Sequence, residues 1–191
     1  MNGLSYQLLR AKEMKAEGID FKPIFGVEAY YIDSLEDWQG LRNEIAADKK
    51  RAKEVDKGDA ARVVEDEQRN DKRALARKRH IVLLAQNQKG LENIYEMVSK
   101  SYSGDYFYRK PRIDLDLLRE NNEGVIALSA CLGGVYAGCY WENREQGEEA
   151  VLECMRETTA NMIDVFGDRW YGELQWNGIA EQHELNKYVI K

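Results

Sequence analysis

Three side chains in this 191-residue chain are of the types that bind and activate through metal: Glu28, His80 and Cys131. A carboxylate, an imidazole and a thiolate together make a competent ligand set for zinc or a similar divalent transition metal. Each lies in or beside an apolar run where a polar group is not the ordinary choice: Glu28 in "GVEAYY", His80 at the head of "HIVLLA" and Cys131 at the end of "GVIALSAC". Taken singly, each has a plainer reading. Glu28 would pair with an arginine, His80 would be a hydrogen-bonded histidine at a strand edge, and Cys131 would be a small buried hydrophobe. His80 also opens its strand whereas Cys131 closes its own, which does not fit one shared rim of parallel strands.

Other candidates are weaker. His183, in "AEQHELN", has no second ligand at i+4 and reads as a surface residue. The glycines at 133, 134 and 138 match neither a dinucleotide fingerprint nor a Walker loop. "LSACLGG" lacks the glycine two residues before the serine that a nucleophile elbow requires. The loop "YSGDYFYRKPRID", residues 102 to 114, sets aromatic rings beside Arg109, Lys110 and Arg112. Arginine forks suit phosphate oxygens and aromatic faces stack on bases, so Lys110 and Arg112 are candidate phosphate or DNA contacts. A packing loop capped by surface charge fits the same composition.

The elements that must position these residues follow from periodicity. Leu4, Leu8, Ala11 and Met14 recur at helical spacing, and Gly18 stands where a left-handed cap belongs. Residues 23 to 33 read as a buried strand after Pro23. Residues 35 to 79 hold 11 acidic and 13 basic side chains against a thin apolar minority that includes Leu41 and Ile45. That segment predicts an exposed, charged, helical insertion with a narrow docking stripe; a partner- or DNA-facing arm ending in "KRALARKR" is the sharper alternative. "HIVLLA" is a strand, followed by a helix carrying Leu91, Ile94, Tyr95 and Val98. "GVIALSA" is the next strand. A long helix then uses Val151, Met155, Thr158, Met162 and Val165 and stops at Gly167. "RWYGELQW" reads as a strand and a last helix starts near Ala180. Strand and helix alternate, which predicts an α/β fold with a parallel sheet or barrel of βα units.

Bulk properties set the class. A 43% hydrophobic and 32% charged chain with two prolines is that of one folded globular domain. No apolar stretch approaches the ~20 residues that span a bilayer, and the N-terminal segment has no secretory h-region, so no membrane partner and a cytoplasmic location are expected. The three cysteines, Cys131, Cys139 and Cys154, follow no metal-knuckle or disulfide-framework spacing and predict a reducing compartment without disulfides. A net charge of -6 argues against a free-standing binder of nucleic-acid backbone, so any contact with DNA must be local.

The ordered segments "KPIFGVEAYYI", "RHIVLLAQNQKGLENIYEMVSKSY", "FYRKPRIDLDLL", "EGVIALSACLGG" and "GELQWNGIAEQHELN" closely resemble the PHP (polymerase and histidinol phosphatase) domain of bacterial DNA polymerase III alpha subunits. The likeness covers residues 1 to 34 and 80 to 191, with residues 35 to 79 as a longer insertion where that family varies. It implies a partial distorted βα barrel, TIM-barrel-like, whose ligands in active members hold up to three metal ions for phosphoester hydrolysis. Position by position, the family's glutamate ligand falls on Glu28, its histidine after the variable loop on His80, and its cysteine in the "SAC" turn on Cys131. The family's His-x-His, Asp-His and Asp-x-His ligands have no counterparts in these residues, so most of the metal shell is lacking.

The resemblance further implies the PHP portion of a DNA-directed DNA polymerase. The parent would use magnesium and DNA, and the module would resemble a metal-dependent phosphoesterase or 3'-5' exonuclease. Without the remaining ligands and the polymerase palm, the isolated chain is expected to be inactive. Two alternatives stand beside this: a non-catalytic scaffold that docks a proofreading exonuclease or other replisome subunits, and a stand-alone histidinol-phosphatase-like enzyme. Open strand edges of a partial barrel lead us to expect self-association.

Overall fold

The computed structural model describes residues 2–54 and 77–191. Helix α1 (Asn2–Ala16) ends in a Schellman motif: Gly18 has φ +80°, its N–H donates to the Lys15 carbonyl, and the Ile19 N–H donates to the Met14 carbonyl. Only glycine takes that left-handed cap without steric cost. Strand β1 (Gly26–Tyr31) leads into α2 (Leu35–Glu54). Then come β2 (Arg79–Ala85), α3 (Gln88–Ser101), the short α4 (Leu115–Glu120), β3 (Val125–Leu128), α5 (Val135–Asn143), α6 (Glu148–Phe166), β4 (Trp170–Tyr171) and α7 (Ala180–Ile190).

The four strands form one open sheet in the order β1-β2-β3-β4. The expected parallel arrangement is corrected here: β1 with β2 and β2 with β3 are antiparallel, and only β3 with β4 is parallel. Alternating strands and helices fix the sequence of elements but not the direction in which each strand re-enters the sheet. The described residues form a small mixed sheet and do not close into a barrel. Strand β4 is also shorter than "RWYGELQW" suggests, because after Tyr171 the chain leaves the ladder.

Period-two alternation divides the sheet into two faces. Tyr31, Ile81, Leu83, Val125 and Ala127 point into the main core, where Ile94 and Met97 of α3, Leu117 and Leu118 of α4, and Met162 and Phe166 of α6 cover them. The opposite face carries Glu28, Tyr30, His80, Val82 and Leu128. In α6 the predicted stripe holds, with Val151, Met155, Met162 and Val165 buried and Thr158 half-buried. The helix closes at Gly167, φ +58°.

Within the charged segment, Leu35–Glu54 form α2. Helix α2 docks through a satellite cluster of Trp38, Ile45 and Ile32, with Leu41 and Tyr108 packed against it. Residues 55–76 of the insertion lie outside the described residues. The absence of disulfides expected from cysteine spacing is also corrected: Cys139 of α5 and Cys154 of α6 are bridged, with Cα atoms 5.5 Å apart. The packing of two consecutive helices brings together thiols that follow no recognisable linear pattern. Among the described residues, no helix is long and apolar enough to cross a membrane.

Candidate metal centre

The antiparallel course of β2 assembles the site. Its first residues lie beside the end of β1, where Tyr30 is opposite His80 and Glu28 is opposite Val82. Glu28 and His80 are thus diagonal neighbours on one face, within reach of long side chains. Strand β3 runs antiparallel to β2 in turn, with Leu128 opposite Val82, so the segment after β3 arrives at the start of β2. Cys131 lies three residues past Leu128 and His80 is the second residue of β2. A strand start and two strand ends therefore share one rim.

The turn from Ser129 to Gly134 is tightly specified. Ala130 adopts φ +60°, a left-handed conformation that costs a non-glycine residue about 1–2 kcal/mol. The Ser129 N–H donates to the Tyr171 carbonyl at 3.0 Å, and the Ser129 hydroxyl accepts from the Glu173 N–H at 2.8 Å. The Gly134 N–H donates to the Cys131 carbonyl at 2.7 Å, and the His80 N–H donates to the Gly133 carbonyl, also at 2.7 Å. Gly133 lies over the imidazole, where a Cβ would come within 3.0 Å of Nδ1. The turn thus wraps His80 and delivers Cys131 to it.

At the centre, Glu28 Oε1 is 2.6 Å from His80 Nδ1, and Cys131 Sγ is 4.0 Å from the same nitrogen. All three ligand atoms lie within 4.8 Å of one another. Ligands about 2.0–2.3 Å from one ion are spaced on this scale, so the donor set fits a single zinc-class cation. Both neighbours lie beside Nδ1, the nitrogen that would face an ion held between the three side chains. Without an ion, an Nδ1–H tautomer donates to Glu28. The Glu28 and His80 side chains are 53% and 32% exposed, so the centre opens to solvent.

Residues the sequence did not single out complete the surroundings. The Tyr30 ring packs on His80 with centroids 5.4 Å apart, and Lys78 Nζ lies 4.8 Å from the Tyr30 ring centroid. Arg79, which reads as the end of a solvated charge run, belongs to β2. It pairs with Asp33 at 3.3 Å and with Glu142 of α5 at 2.9 Å, tying the strand start to the helix that follows the "SAC" turn. The register of β2 was the missing signal: two residues before Ile81, a basic residue no longer belongs to the insertion.

The loop cations divide. Lys110 and Arg109 are exposed. Arg112 is only 2% exposed, so it does not present its guanidinium to solvent as a phosphate contact would. Its Nη1 donates to the Tyr108 and Lys110 carbonyls at 2.9 Å each, and the guanidinium lies 4.5 Å from the Trp38 ring centroid. Burial lowers its pKa from the ordinary arginine value, with Tyr108 opposing that shift and Arg42 adding to it. His183 packs beside Trp176 at 5.8 Å and takes no part in the three-ligand group.

The PHP domain family matches residues 5–177. The DNA polymerase III subunit alpha of Aquifex aeolicus is 33% identical over 187 residues, covering 98% of this chain and 13% of that protein. The corresponding subunit of Deinococcus radiodurans is 33% identical over 171 residues, 90% of this chain and 10% of the relative. That of Thermus aquaticus is 32% identical over 175 residues, 92% and 11% respectively. The chain thus spans about an eighth or less of the length of these relatives.

Proposed function

This chain belongs to the PHP domain family, and from that premise we propose that it is the PHP module of a DNA polymerase III alpha-type replicative polymerase, with a metal centre at Glu28, His80 and Cys131. The observation that carries the reading is the convergence of three different ligand types, from three separate segments, around His80 Nδ1. Its parent would carry out DNA-directed DNA synthesis with magnesium in the cytoplasm, among replisome partners.

A bound zinc-class ion would supply Lewis acidity toward a phosphoryl oxygen and lower the pKa of a coordinated water. The chain's own residues do the rest. Ligation would require neutral imidazole, carboxylate and thiolate, with His80 Nδ1 free of its proton for Glu28, His80 and Cys131 to hold the ion. The Gly133 carbonyl fixes the His80 backbone N–H, and the Tyr30 ring packs on the imidazole. Lys110 provides a phosphate contact in the exposed loop.

A second reading is favoured by the size of the ligand set. The described residues hold one three-ligand group, enough for one ion rather than the three of an active phosphoesterase. In that reading the centre is structural and the module is a scaffold that docks a proofreading exonuclease.

Metal content of the purified chain, measured by mass spectrometry with His80→Ala and Cys131→Ala variants, tests the proposal. Near-stoichiometric zinc that is lost in both variants is expected, and hydrolysis at DNA 3' ends then separates the catalytic from the structural reading. Zinc retained in both variants, or no metal in the unaltered chain, would overturn the assignment of the centre.

A further inference from the structure

Beside the outer edge of β1, where Ile113 bridges to Tyr31, lies a cavity of about 500 Å³. Met97 of α3 is on one wall, and Tyr102, Phe107, Arg109 and Lys110 of the following loop are on another; Glu28 also lines it. Tyr102 and Phe107 are 64% and 42% exposed, and their rings stack with centroids 6.0 Å apart and planes 24° from parallel. Large aromatic rings ordinarily bury their faces against apolar neighbours. Here two of them form a stacked pair at the mouth of a cavity with two cations on the same rim.

The loop that carries the cations is fixed from below. Tyr108 and Lys110 bridge to each other across Arg109, which sits at the tip with φ +60°. The buried Arg112 guanidinium holds the carbonyls of both flanking residues. Arg109 and Lys110 are thus presented on a preorganised turn, which lowers the ordering cost of binding.

We propose that this cavity is a nucleotide subsite for single-stranded DNA, in which an unpaired base stacks on the Tyr102–Phe107 pair and Arg109 and Lys110 take the adjoining phosphates. It rests on the reading that the neighbouring centre faces nucleic acid, and it adds the substrate class: an unpaired strand rather than a duplex or a small phosphomonoester. Base-on-ring stacking is tolerant of sequence and requires an unstacked base. The chain's charge of -6 disfavours diffuse attraction to a nucleic-acid backbone, so contact here is local to the two loop cations.

The test is fluorescence anisotropy with a labelled oligo-dT in the presence of EDTA, so that metal plays no part. Tyr102→Ala and Phe107→Ala are each expected to weaken binding about 5- to 100-fold, and Tyr102→Phe to restore it, as loss of a base-stacking ring implies. Two phosphate contacts to a single strand predict a slope of about -1.4 in log affinity against log salt, reduced by about 0.7 in Lys110→Gln. Binding of a duplex of equal length as tight as that of the single strand, or ring variants that bind within twofold of the unaltered chain, would overturn the subsite. Because the assay excludes metal, ring-dependent binding by a chain that holds no zinc would leave the subsite standing while the metal centre failed. Stoichiometric zinc with ring-independent binding would do the reverse.

Discussion

Gly134→Ala is the sharpest test of how the fold holds Cys131. The backbone at Gly134 has φ -80° and ψ -178°, which any residue adopts, so conformational freedom is not what glycine supplies there. Space is the reason. A Cβ at this position would overlap the Ser129 carbonyl oxygen and stand 2.9 Å from the Cys131 carbonyl oxygen, both backbone atoms with no rotamer to relax. Relief requires the turn to open by on the order of 1 Å, at an overpacking cost of about 1–3 kcal/mol. For a domain of this size that corresponds to a melting temperature lower by about 2–12 °C. Metal sites tolerate only about 0.2 Å in ligand distance, so the proposed centre should lose about 10- to 100-fold in its affinity for zinc.

Competition with a chromophoric chelator, alongside a thermal melt, reads both effects. Gly133→Ala separates the two readouts: the atoms nearest its Cβ belong to the His80 ring, at 3.0, 3.1 and 3.5 Å, so a few tenths of an ångström of ring movement spares the turn and the melting temperature but shifts a proposed ligand and lowers metal affinity. A Gly134→Ala variant that melts within 1 °C of the parent and keeps its zinc affinity would refute the view that this close approach sets the position of Cys131.

Three further outcomes are expected. Trp38→Ala removes a 6% exposed ring that joins α2 to the 108–112 loop; a cost of about 3–5 kcal/mol should appear as lost amide-exchange protection in α2 while β2 and α3 keep theirs, and unchanged protection in α2 would count against the docking. Burial and the nearby Asp114 carboxylate push the Tyr106 phenol up to about 12. Its contribution to stability is therefore full below pH 10 and lost as pH rises toward 12, so Tyr106→Phe should flatten the alkaline decline in urea midpoints measured across that window, and an identical decline would contradict the assignment. Reducing the Cys139–Cys154 bridge, which closes 15 residues of chain, should cost about 3 kcal/mol and lower the melting temperature by about 6–12 °C; a Cys154→Ala variant that melts like the oxidised parent would show that the bridge does not form in solution.

Local pattern in the chain carries the features that depend on near neighbours. Hydrophobic periodicity specified the α6 stripe from Val151 to Val165, the cap at Gly18, and the Leu41–Ile45 edge by which a charged segment docks, since each depends on residues one or two turns apart. It also singled out Glu28, His80 and Cys131, because polar ligand types inside apolar runs are visible without knowing the fold. Tertiary structure alone decided whether the three would meet. His80 opens its strand, and only the antiparallel re-entry of β2 puts that strand start beside the ends of β1 and β3. Strand direction depends on how long connections close, and period-two alternation is the same read in either direction. The burial of Arg112 over Trp38 and the meeting of Cys139 with Cys154 were illegible for the same reason, as both arise between elements whose contact no local spacing encodes.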